Sequence, residues 1–324
     1  MILVTGGAGY IGSHYVLSAL ERGDEIVVLD NLVYGHKEAV LDGATLITGD
    51  MGDAALLDDI FTKYPIDAVI HFAAYAYVGE SVTDPAKYYR NNTFATLAVL
   101  DAMRRHNVKN FVFSSTCATY GNPQYVPMDE KHPQDPINPY GESKLFVEKI
   151  LKAYDHAYGL KFTALRYFNA AGADPKGRIG ESHEPETHLI PLILQAAMGK
   201  RESISVFGTD YDTPDGTALR DYIHIFDLGA AHTLALERLR SGADSDFYNL
   251  GSEQGYSVRE VIAACEKVSG KPIKVMEAPR RAGDPPRLVA SAGKAKSALG
   301  WQPKFQDLEE IIQTAWKWET NRTY

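Results

Sequence analysis

The feature that most constrains the fold of this chain is a glycine-rich turn between an apolar strand and an amphipathic helix. Residues Met1–Thr5 form an apolar run, residues 6–12 read Gly-Gly-Ala-Gly-Tyr-Ile-Gly, and a helical pattern covers Ser13–Arg22. The missing side chains let the backbone approach a diphosphate, which then lies at the positive end of the helix. The pattern therefore predicts the first βαβ unit of a dinucleotide-binding parallel sheet.

The end of the next apolar run indicates which dinucleotide is bound. Gly6, Gly9 and Gly12 fit the fingerprint G-x-x-G-x-x-G, and Asp30 ends the second predicted strand 18 residues after Gly12. A carboxylate at this place accepts hydrogen bonds from the adenosine ribose hydroxyls and repels a 2′-phosphate. We therefore predict NAD rather than NADP as the cofactor.

The first half of the chain alternates short apolar runs with helical patterns such as Tyr88–His106. Further strands are predicted at 25–30, 45–48, 68–72, 111–115 and 162–167. This alternation implies right-handed crossovers and a parallel sheet covered on both faces. We predict an α/β fold with a Rossmann-type doubly wound parallel sheet as the NAD-binding domain, residues 1–170. A smaller mixed α/β substrate-binding domain is predicted at 171–324, and segments near 220–250 are expected to return to the first domain.

Composition excludes several other classes of protein. The chain has 324 residues and a net charge of −9, which disfavours a nucleic-acid or anionic-membrane partner. No apolar run approaches the roughly 18 residues of a membrane span, and the N-terminus lacks the pattern of a signal peptide. The two cysteines, Cys117 and Cys265, provide neither a C-x-x-C pair nor a disulfide framework. We therefore expect a cytoplasmic protein without a metal site.

Two residues at the start of a predicted helix form a candidate reactive pair. Asn138-Pro139 is typical of a helix start, and Tyr140 and Lys144, four residues apart, share one helix face. A nearby ammonium and an oxidised nicotinamide favour the phenolate, so Tyr140 is a candidate acceptor for the proton of a substrate hydroxyl. Thr116 follows an apolar strand at the edge where open α/β sheets bind ligands, and its hydroxyl can contact the same substrate oxygen.

These residues together resemble a known family. The glycine turn, Thr116 and Tyr-x-x-x-Lys at 140–144 are similar to the extended short-chain dehydrogenase/reductases. Blocks at 5–14, 114–121, 166–169 (Arg-Tyr-Phe-Asn) and 220–224 (Arg-Asp-Tyr-Ile-His) resemble, within them, the family that interconverts UDP-glucose and UDP-galactose by 4-epimerisation. Matching blocks extend to about residue 305.

The resemblance implies a mechanism and an assembly. Tyr140 would take the proton of the sugar 4-hydroxyl while hydride leaves C4 for a permanently bound NAD. The 4-keto sugar would then turn over in the site, and the hydride would return to its opposite face. Lys144 would lower the phenol pKa and hold the nicotinamide ribose, and Thr116 would contact the 4-oxygen. The family also implies a cytoplasmic homodimer that serves galactose metabolism, with helices near 88–106 and 140–158 paired in its interface.

The resemblance further implies which residues contact each ligand. For the cofactor they are Gly6, Gly9, Tyr10, Ile11, Gly12, Asp30, Asn31, Asp50, Met51, Phe72, Ala73, Ala74, Asn91, Lys144 and Phe168. For the UDP-sugar they are Thr116, Tyr140, Asn169, Leu189, Phe207, Arg220, Arg281, Asp284 and Leu288. Position 288 is the gate of the sugar pocket, where a bulky Tyr is associated with exclusion of N-acetyl sugars. We hypothesise that Leu288 admits an N-acetylated hexose.

Three other functions are alternatives to 4-epimerisation of UDP-glucose and UDP-galactose. A nucleotide-sugar 4,6-dehydratase needs an extra acid and base beside Thr116, where this chain has Cys117-Ala118. A 4-epimerase for UDP-N-acetylhexosamines or for UDP-xylose and UDP-arabinose stays open. A non-catalytic NAD-binding regulator also stays an alternative, although a sensor would have no use for a proton acceptor at Tyr140.

Overall fold

The computed structural model of the protein describes residues 1–281 and 284–324. The strands are β1 (Ile2–Thr5), β2 (Ile26–Asp30), β3 (Thr45–Thr48), β4 (Ala68–His71), β5 (Asn110–Thr116), β6 (Lys161–Tyr167), β7 (Asn169–Ala171), β8 (Ile204–Phe207), β9 (Leu219–Arg220), β10 (Tyr222–His224), β11 (Asp246–Leu250), β12 (Tyr256–Ser257), β13 (Val275–Ala278) and β14 (Arg287–Leu288). The helices are α1 (Tyr10–Glu21), α2 (Ala54–Lys63), α3 (Val78–Thr83), α4 (Pro85–Tyr88), α5 (Thr96–Arg105), α6 (Pro139–Tyr158), α7 (Leu189–Ala197), α8 (Ile225–Arg240), α9 (Val258–Ser269), α10 (Gly293–Ala298) and α11 (Leu308–Asn321). None of these helices combines the length and the apolar character needed to cross a bilayer.

The centre of the molecule is a seven-stranded sheet in the order β11-β6-β5-β4-β1-β2-β3. Every neighbouring pair in it is parallel. The chain runs outward from β1 through β2 and β3, then crosses back to β4 on the other side of β1. The strand order therefore reverses between β1 and β4, and ligands of such sheets bind beyond the carboxyl ends of the strands at this point. The predicted Rossmann-type parallel sheet is confirmed, including its first six strands to within one residue at most ends.

Apolar side chains cover both faces of the sheet. On one face α1 and α8 contribute residues such as Tyr15 and Leu236, and on the other α2, α5 and α6 contribute residues such as Leu57 and Leu151. Burial on both faces explains why the strands read as continuous apolar runs in the sequence. A third apolar cluster joins α7, α9 and α11. The two-domain division near residue 170 stays a prediction, while β11 lies in the central sheet and α8 packs on it.

The predicted helix Tyr88–His106 differs from the structure, because residues Tyr89–Ala95 form a π-helical segment between α4 and α5. The buried Asn92 lies in this wider turn. Its side-chain nitrogen donates to the Tyr75 carbonyl at 2.9 Å and to Ser143 Oγ at 3.1 Å, and its oxygen accepts from the Tyr75 amide at 2.9 Å. These contacts tie the segment to α6 and to the loop after β4. Periodicity along the sequence cannot indicate them, and single π-helical turns are frequent at functional sites.

Acid should destabilise this fold because four buried histidines are held neutral. Burial lowers the pKa of each from 6.5 to about 3 or 4, and they are His14, His71, His224 and His232. Between about pH 6.5 and 4 the unfolded chain binds more protons than the folded chain. The free energy of unfolding therefore decreases as the pH is lowered, by up to about 1.4 kcal/mol per pH unit for each histidine. Burial raises the pKa of Asp221 to about 6 and also raises the pKa of Asp30, Asp227 and Glu319, so these carboxyls oppose the trend. Their opposition begins below about pH 6, whereas the histidines of the unfolded chain begin to bind protons above about pH 6.5.

Denaturant unfolding measured at pH 7 and pH 5 should therefore give a clearly lower free energy of unfolding at pH 5. The variant His232→Gln should show a shallower dependence, because one of the neutral imidazoles is gone. His156→Gln is the matched control, since His156 is exposed on α6. A free energy of unfolding that stays constant or rises between pH 7 and 5 would contradict the assignment.

Candidate active site

The glycine turn lies at the point where the strand order reverses. Gly6 has φ of +73°, and a Cβ there would lie 2.5 Å from the Ala73 nitrogen. A Cβ at Gly12 would lie 2.1 Å from the Gly6 carbonyl oxygen, so both positions require glycine. A Cβ at Gly9 would meet its nearest heavy atom of the described residues at 3.5 Å, so packing within the chain does not require glycine there. Gly9 is also the N-cap of α1 and lacks a side-chain cap, so backbone amides remain free for an anion. The turn fits the diphosphate of NAD.

Asp30 holds the turn in place at the end of β2. Its carboxylate accepts from the backbone amides of Ala8 and Leu32, each at 2.9 Å, and burial raises its pKa while these two bonds oppose the rise. Each oxygen can accept a further bond, as the ribose hydroxyls of NAD would require. The structure thus places Asp30 at the predicted edge of the sheet, beside Asn31.

The other predicted cofactor residues follow the carboxyl ends of neighbouring strands. Asp50 and Met51 come after β3, and the Asp50 carboxylate accepts from the Gly52 amide at 2.7 Å. Phe72 and Ala73 come after β4 and donate their amides to the Thr5 carbonyl at 2.9 and 3.1 Å. The remaining positions lie after β4, in the π-helical segment, at the start of α1 and after β6; they are Ala74, Asn91, Tyr10, Ile11 and Phe168.

The candidate catalytic residues meet at the end of β5. Thr116 is the last residue of that strand and is buried, and its Oγ accepts from the Ala118 amide at 3.1 Å. Its hydroxyl hydrogen remains available for a second bond. Asn138 caps α6 by accepting from the Gly141 amide at 2.9 Å, which places Tyr140 in the first turn. Burial raises the pKa of Tyr140 to about 12, and hydrogen bonding with Thr116 opposes the rise. The protein alone therefore keeps Tyr140 a neutral phenol.

Lys144 lies one turn further along α6 and is almost completely buried, with 3% of its surface exposed. Its Nζ donates to the Ser114 backbone carbonyl at 2.9 Å. Burial lowers the pKa of Lys144 to about 7, and the charge of Glu148 opposes this effect. The contact with the backbone of β5 directs the ammonium toward the ligand-binding edge of the sheet. That Lys144 lowers the pKa of the Tyr140 phenol stays a prediction.

Five of the predicted substrate residues lie on or near β8, β9 and β14: Phe207, Arg220 and Leu288 on the strands, and Arg281 and Asp284 in the chain before β14. Asp284 pairs with both arginines: Arg220 Nη2 donates to one carboxylate oxygen, and Arg281 Nη2 donates to the other at 3.3 Å. The guanidinium of Arg281 lies 4.7 Å from the centre of the Phe207 ring, and Leu288 is in register with Arg220. Two guanidinium groups held by one carboxylate form a site that a diphosphate can occupy.

Asn169 and Leu189 lie in a different group of residues. Both line a cavity that also contains Tyr222, His188 and Glu181. The Asn169 side chain donates to the Asp221 carbonyl at 2.8 Å, which places it next to Arg220 along the chain. The cavity therefore lies next to β9 and does not coincide with the group formed by Arg220, Arg281 and Asp284, called the arginine group below.

A buried ion pair supports α6, the helix of Tyr140 and Lys144, and was not predicted from the sequence. Arg166 on β6 donates to the Glu148 carboxylate of α6 through Nε at 2.9 Å and Nη2 at 2.6 Å. Ser115 Oγ donates to the same carboxylate at 2.6 Å, and Arg166 Nη1 donates to the Tyr120 hydroxyl at 2.9 Å. This pair fixes α6 against β5 and β6 one turn after Lys144. One sequence signal could have indicated the position of Glu148: it lies four residues after Lys144 and therefore on the helix face that carries Tyr140 and Lys144.

Fold and site together define the class: a Rossmann-type dinucleotide-binding protein with the Thr, Tyr and Lys set of the short-chain dehydrogenase/reductases. The model of the NAD dependent epimerase/dehydratase family matches residues 2–251. The chain belongs to that family. The predictions of the family and of NAD as its cofactor are confirmed.

Similar proteins cover the whole length of the chain. The UDP-glucose 4-epimerase of Halalkalibacterium halodurans is 55% identical, over 98% of this chain and 95% of the relative. The crystal structure of UDP-glucose 4-epimerase from Brucella ovis in complex with NAD has a TM-score of 0.94 at 50% identity and covers 97% of this chain and 96% of that one. The enzyme of Bifidobacterium longum in complex with NAD⁺ and UDP has a TM-score of 0.92 at 38% identity, with 99% and 98% covered.

Proposed function

We propose that this chain interconverts UDP-glucose and UDP-galactose by NAD-dependent epimerisation at C4. The observation that carries the proposal is the placement of Thr116 and Tyr140 at the end of β5, two strands from the glycine turn, with Lys144 buried beneath them. The UDP-glucose 4-epimerases similar to this chain over nearly its full length support the same reaction. The crystal structures with NAD and with UDP support the same pair of ligands.

The reaction requires Tyr140 to lose its proton near neutral pH. When bound, NAD supplies the acceptor and donor for the hydride of the sugar C4, and the oxidised form brings a positive charge. An opposite charge within about 4–6 Å lowers an acid's pKa by roughly 1–3 units. With Lys144 protonated and oxidised NAD bound beside it, the pKa of Tyr140 would thus fall from about 12 toward neutrality. Tyr140 then accepts the proton of the sugar 4-hydroxyl while Thr116 donates a hydrogen bond to that oxygen, and the same phenol returns the proton after the 4-keto sugar has turned over.

The arginine group would hold the diphosphate of the UDP-sugar. Arg220 and Arg281 both donate to Asp284. Phosphate oxygens are the stronger acceptors for a planar guanidinium, so a bound diphosphate would share or take over these bonds and leave Asp284 to accept from a sugar or ribose hydroxyl. Asn169 and Leu189 would contact the uridine side of the substrate, with Leu288 beside the sugar.

The proposed function is tested by offering the purified protein UDP-galactose, UDP-xylose and UDP-N-acetylglucosamine without added cofactor. Chromatography resolves the 4-epimers, and we expect UDP-glucose from UDP-galactose. Conversion of UDP-N-acetylglucosamine would support the role of Leu288 in admitting N-acetyl sugars, and its absence would end that hypothesis. Protein that holds NAD but forms no 4-epimer from any of the three would instead support a non-catalytic regulator.

Replacing Arg220 by Lys should weaken substrate binding without affecting the chemical step. Lys keeps the charge but lacks the planar, bidentate donor set, so we expect KM for UDP-galactose to rise about tenfold or more with kcat nearly unchanged. Initial rates over a range of UDP-galactose concentrations measure both constants. Arg287→Lys is the matched control, because Arg287 lies on the neighbouring β14 and donates to the Asp212 carbonyl. An unchanged KM in Arg220→Lys would contradict the assignment.

The assembly and the location are also part of the proposal. A homodimer formed through the helices near 88–106 and 140–158 is supported by two apolar rings that are exposed there, Phe94 at 68% and Phe146 at 37%. Such rings are candidates for burial in a helical interface between two copies. A cytoplasmic location is proposed because both cysteines, Cys117 and Cys265, are free thiols, as is usual in a reducing compartment. Residues 1–170 and 171–324 are proposed as the cofactor and substrate domains.

A further inference from the structure

Four potential metal ligands converge in the segment between β7 and α7. They are Glu181, His183, Glu186 and His188, and one donor atom from each lies within 4.8 Å of every other. Glu181 Oε1 is 3.1 Å from His183 Nδ1 and 2.7 Å from His188 Nδ1. Glu186 Oε1 is 3.0 Å from His188 Nδ1, and its Oε2 is 3.7 Å from His183 Nδ1. Both imidazoles therefore direct the same ring nitrogen toward both carboxylates.

These separations are close to those of a tetrahedral zinc site. With zinc–nitrogen and zinc–oxygen distances near 2.0–2.1 Å, neighbouring donor atoms lie about 3.4 Å apart. The four separations between imidazole and carboxylate, 2.7–3.7 Å, bracket that value, and no two donor atoms of the set are more than 4.8 Å apart. Side-chain shifts of about 1 Å would therefore bring the donors to tetrahedral spacing. The Glu186 oxygen is held by the backbone amides of Thr187 and His188 at 2.7 and 2.8 Å, which fixes one ligand in advance.

A third carboxylate, outside the four ligands, supplies an independent indication of a cation. Glu319 of α11 lines the same cavity as Glu181 and His188, and only 4% of it is exposed. Its Oε2 is buried and has no hydrogen-bond partner among residues 1–281 and 284–324. Its other oxygen lies 3.6 Å from the Arg322 guanidinium. A buried carboxylate oxygen without a partner is costly unless a positive charge compensates it.

The position of the segment indicates what a metal would do there. His183 packs edge-on against two rings: Tyr10, where the glycine turn meets α1, and Tyr77. The ring centres are 6.2 and 6.4 Å apart, respectively. The Tyr77 hydroxyl donates to the Pro185 carbonyl at 3.2 Å, and His188 is the N-cap of α7. Binding of a metal ion by the four ligands would therefore hold the segment against the glycine turn. Four protein ligands leave no open coordination position, which is typical of structural rather than catalytic zinc.

We propose that Glu181, His183, Glu186 and His188 bind one structural Zn²⁺ ion that ties the segment 181–188 to the start of α7. No metal site was predicted from the sequence, because the spacing of the two cysteines was the only metal-ligand pattern on which that expectation rested. Imidazole and carboxylate ligands spaced E-x-H-x-x-E-x-H provide an equivalent donor set for zinc. The inference concerns a site outside the proposed reaction and does not depend on which sugar the protein uses.

The test uses tag-free, NAD-bound protein that has been depleted of metal with a chelator and then titrated with Zn²⁺. We expect one tightly bound zinc ion per chain by elemental analysis and a higher Tm with zinc than without it. In His188→Gln the affinity for zinc should fall by about 100-fold or more, because removing even an indirect contact to a metal costs 10–100-fold. Cobalt(II) should give the visible absorption of a tetrahedral site in the original protein and lose it in the variant.

His36→Gln is the matched control, because the His36 ring contacts the Ser182 carbonyl at 3.1 Å in the same segment without belonging to the four ligands. It should keep the zinc stoichiometry and the cobalt spectrum. If His188→Gln does not fold, Glu186→Gln provides the same readouts. Less than one zinc ion per chain, or equal zinc affinity in the original protein and the ligand variants, would overturn the proposal and leave a cluster of ion pairs only.

Discussion

Replacing Tyr140 by Phe should reduce kcat for UDP-galactose by about 1,000-fold, which corresponds to roughly 4 kcal/mol of barrier. The variant keeps the ring that packs at the end of β5 and loses only the oxygen that accepts and returns the proton. Loss of this single oxygen should therefore leave the fold and the bound NAD intact. The measurement is single-turnover and steady-state conversion of UDP-galactose, together with the NAD content of the purified variant.

Tyr167→Phe is the control for loss of a phenol in the same region. The Tyr167 hydroxyl lies 2.5 Å from Ser114 Oγ. Burial and the nearby Tyr140 phenol raise the pKa of Tyr167, so Tyr167 is a neutral phenol close to Tyr140. Because Tyr167 has no part in the proposed proton transfer, its variant should keep kcat within about tenfold of the original. A Tyr140→Phe variant as active as Tyr167→Phe would refute the assignment of the proton acceptor and with it the proposed mechanism.

Replacing Glu148 by Gln should lower the free energy of unfolding by about 3–5 kcal/mol, the typical cost of removing one partner of a buried ion pair. Glu148 is 1% exposed and Arg166 is 3% exposed, so the guanidinium would stay buried without its counter-charge. Because Glu148 lies one turn after Lys144, activity should also fall through displacement of the ammonium. Denaturant unfolding of the NAD-bound protein measures the stability.

A matched pair on the surface separates burial from pairing as the cause. Arg259 Nη2 lies 2.7 Å from Glu277 Oε1, and these side chains are 50% and 61% exposed. Exposed pairs contribute about 0–1 kcal/mol, so Glu277→Gln should change the stability little. The double variant Glu148→Leu with Arg166→Met should recover much of the loss, because it leaves no unpaired buried charge. Equal losses in Glu148→Gln and Glu277→Gln would show that the pair does not support α6.

Much of the cofactor half could be predicted because its signals are local. The glycine turn, the strand that precedes it and the helix that follows occupy 20 consecutive residues, from Ile2 to Glu21. Asn138-Pro139 and the spacing from Tyr140 to Lys144 likewise define the start and one face of α6 without reference to any other segment. Parallel strands buried on both faces read as apolar runs, so the central sheet was also visible in the sequence.

The substrate half was harder because its contacts join residues that are distant in sequence. Arg220 and Asp284 come together only when β9 and β14 pair, and the family resemblance rather than any local pattern indicated them. The same holds for the π-helical turn at Tyr89–Ala95, which depends on the contacts of Asn92 with the loop after β4 and with α6.

The sequence by itself determined the fold class and the cofactor and indicated Tyr140 and Lys144 as the candidate reactive pair, since each depends on residue types at short, regular spacing along one strand or helix. Only the tertiary structure decided how charge is arranged around them. It showed Arg166 of β6 paired with Glu148 of α6, Lys144 bonded to the backbone of β5, and Glu319 of α11 in the cavity of Glu181 and His188. Electrostatic energy depends on distance and burial in three dimensions, and a linear order of residues specifies neither.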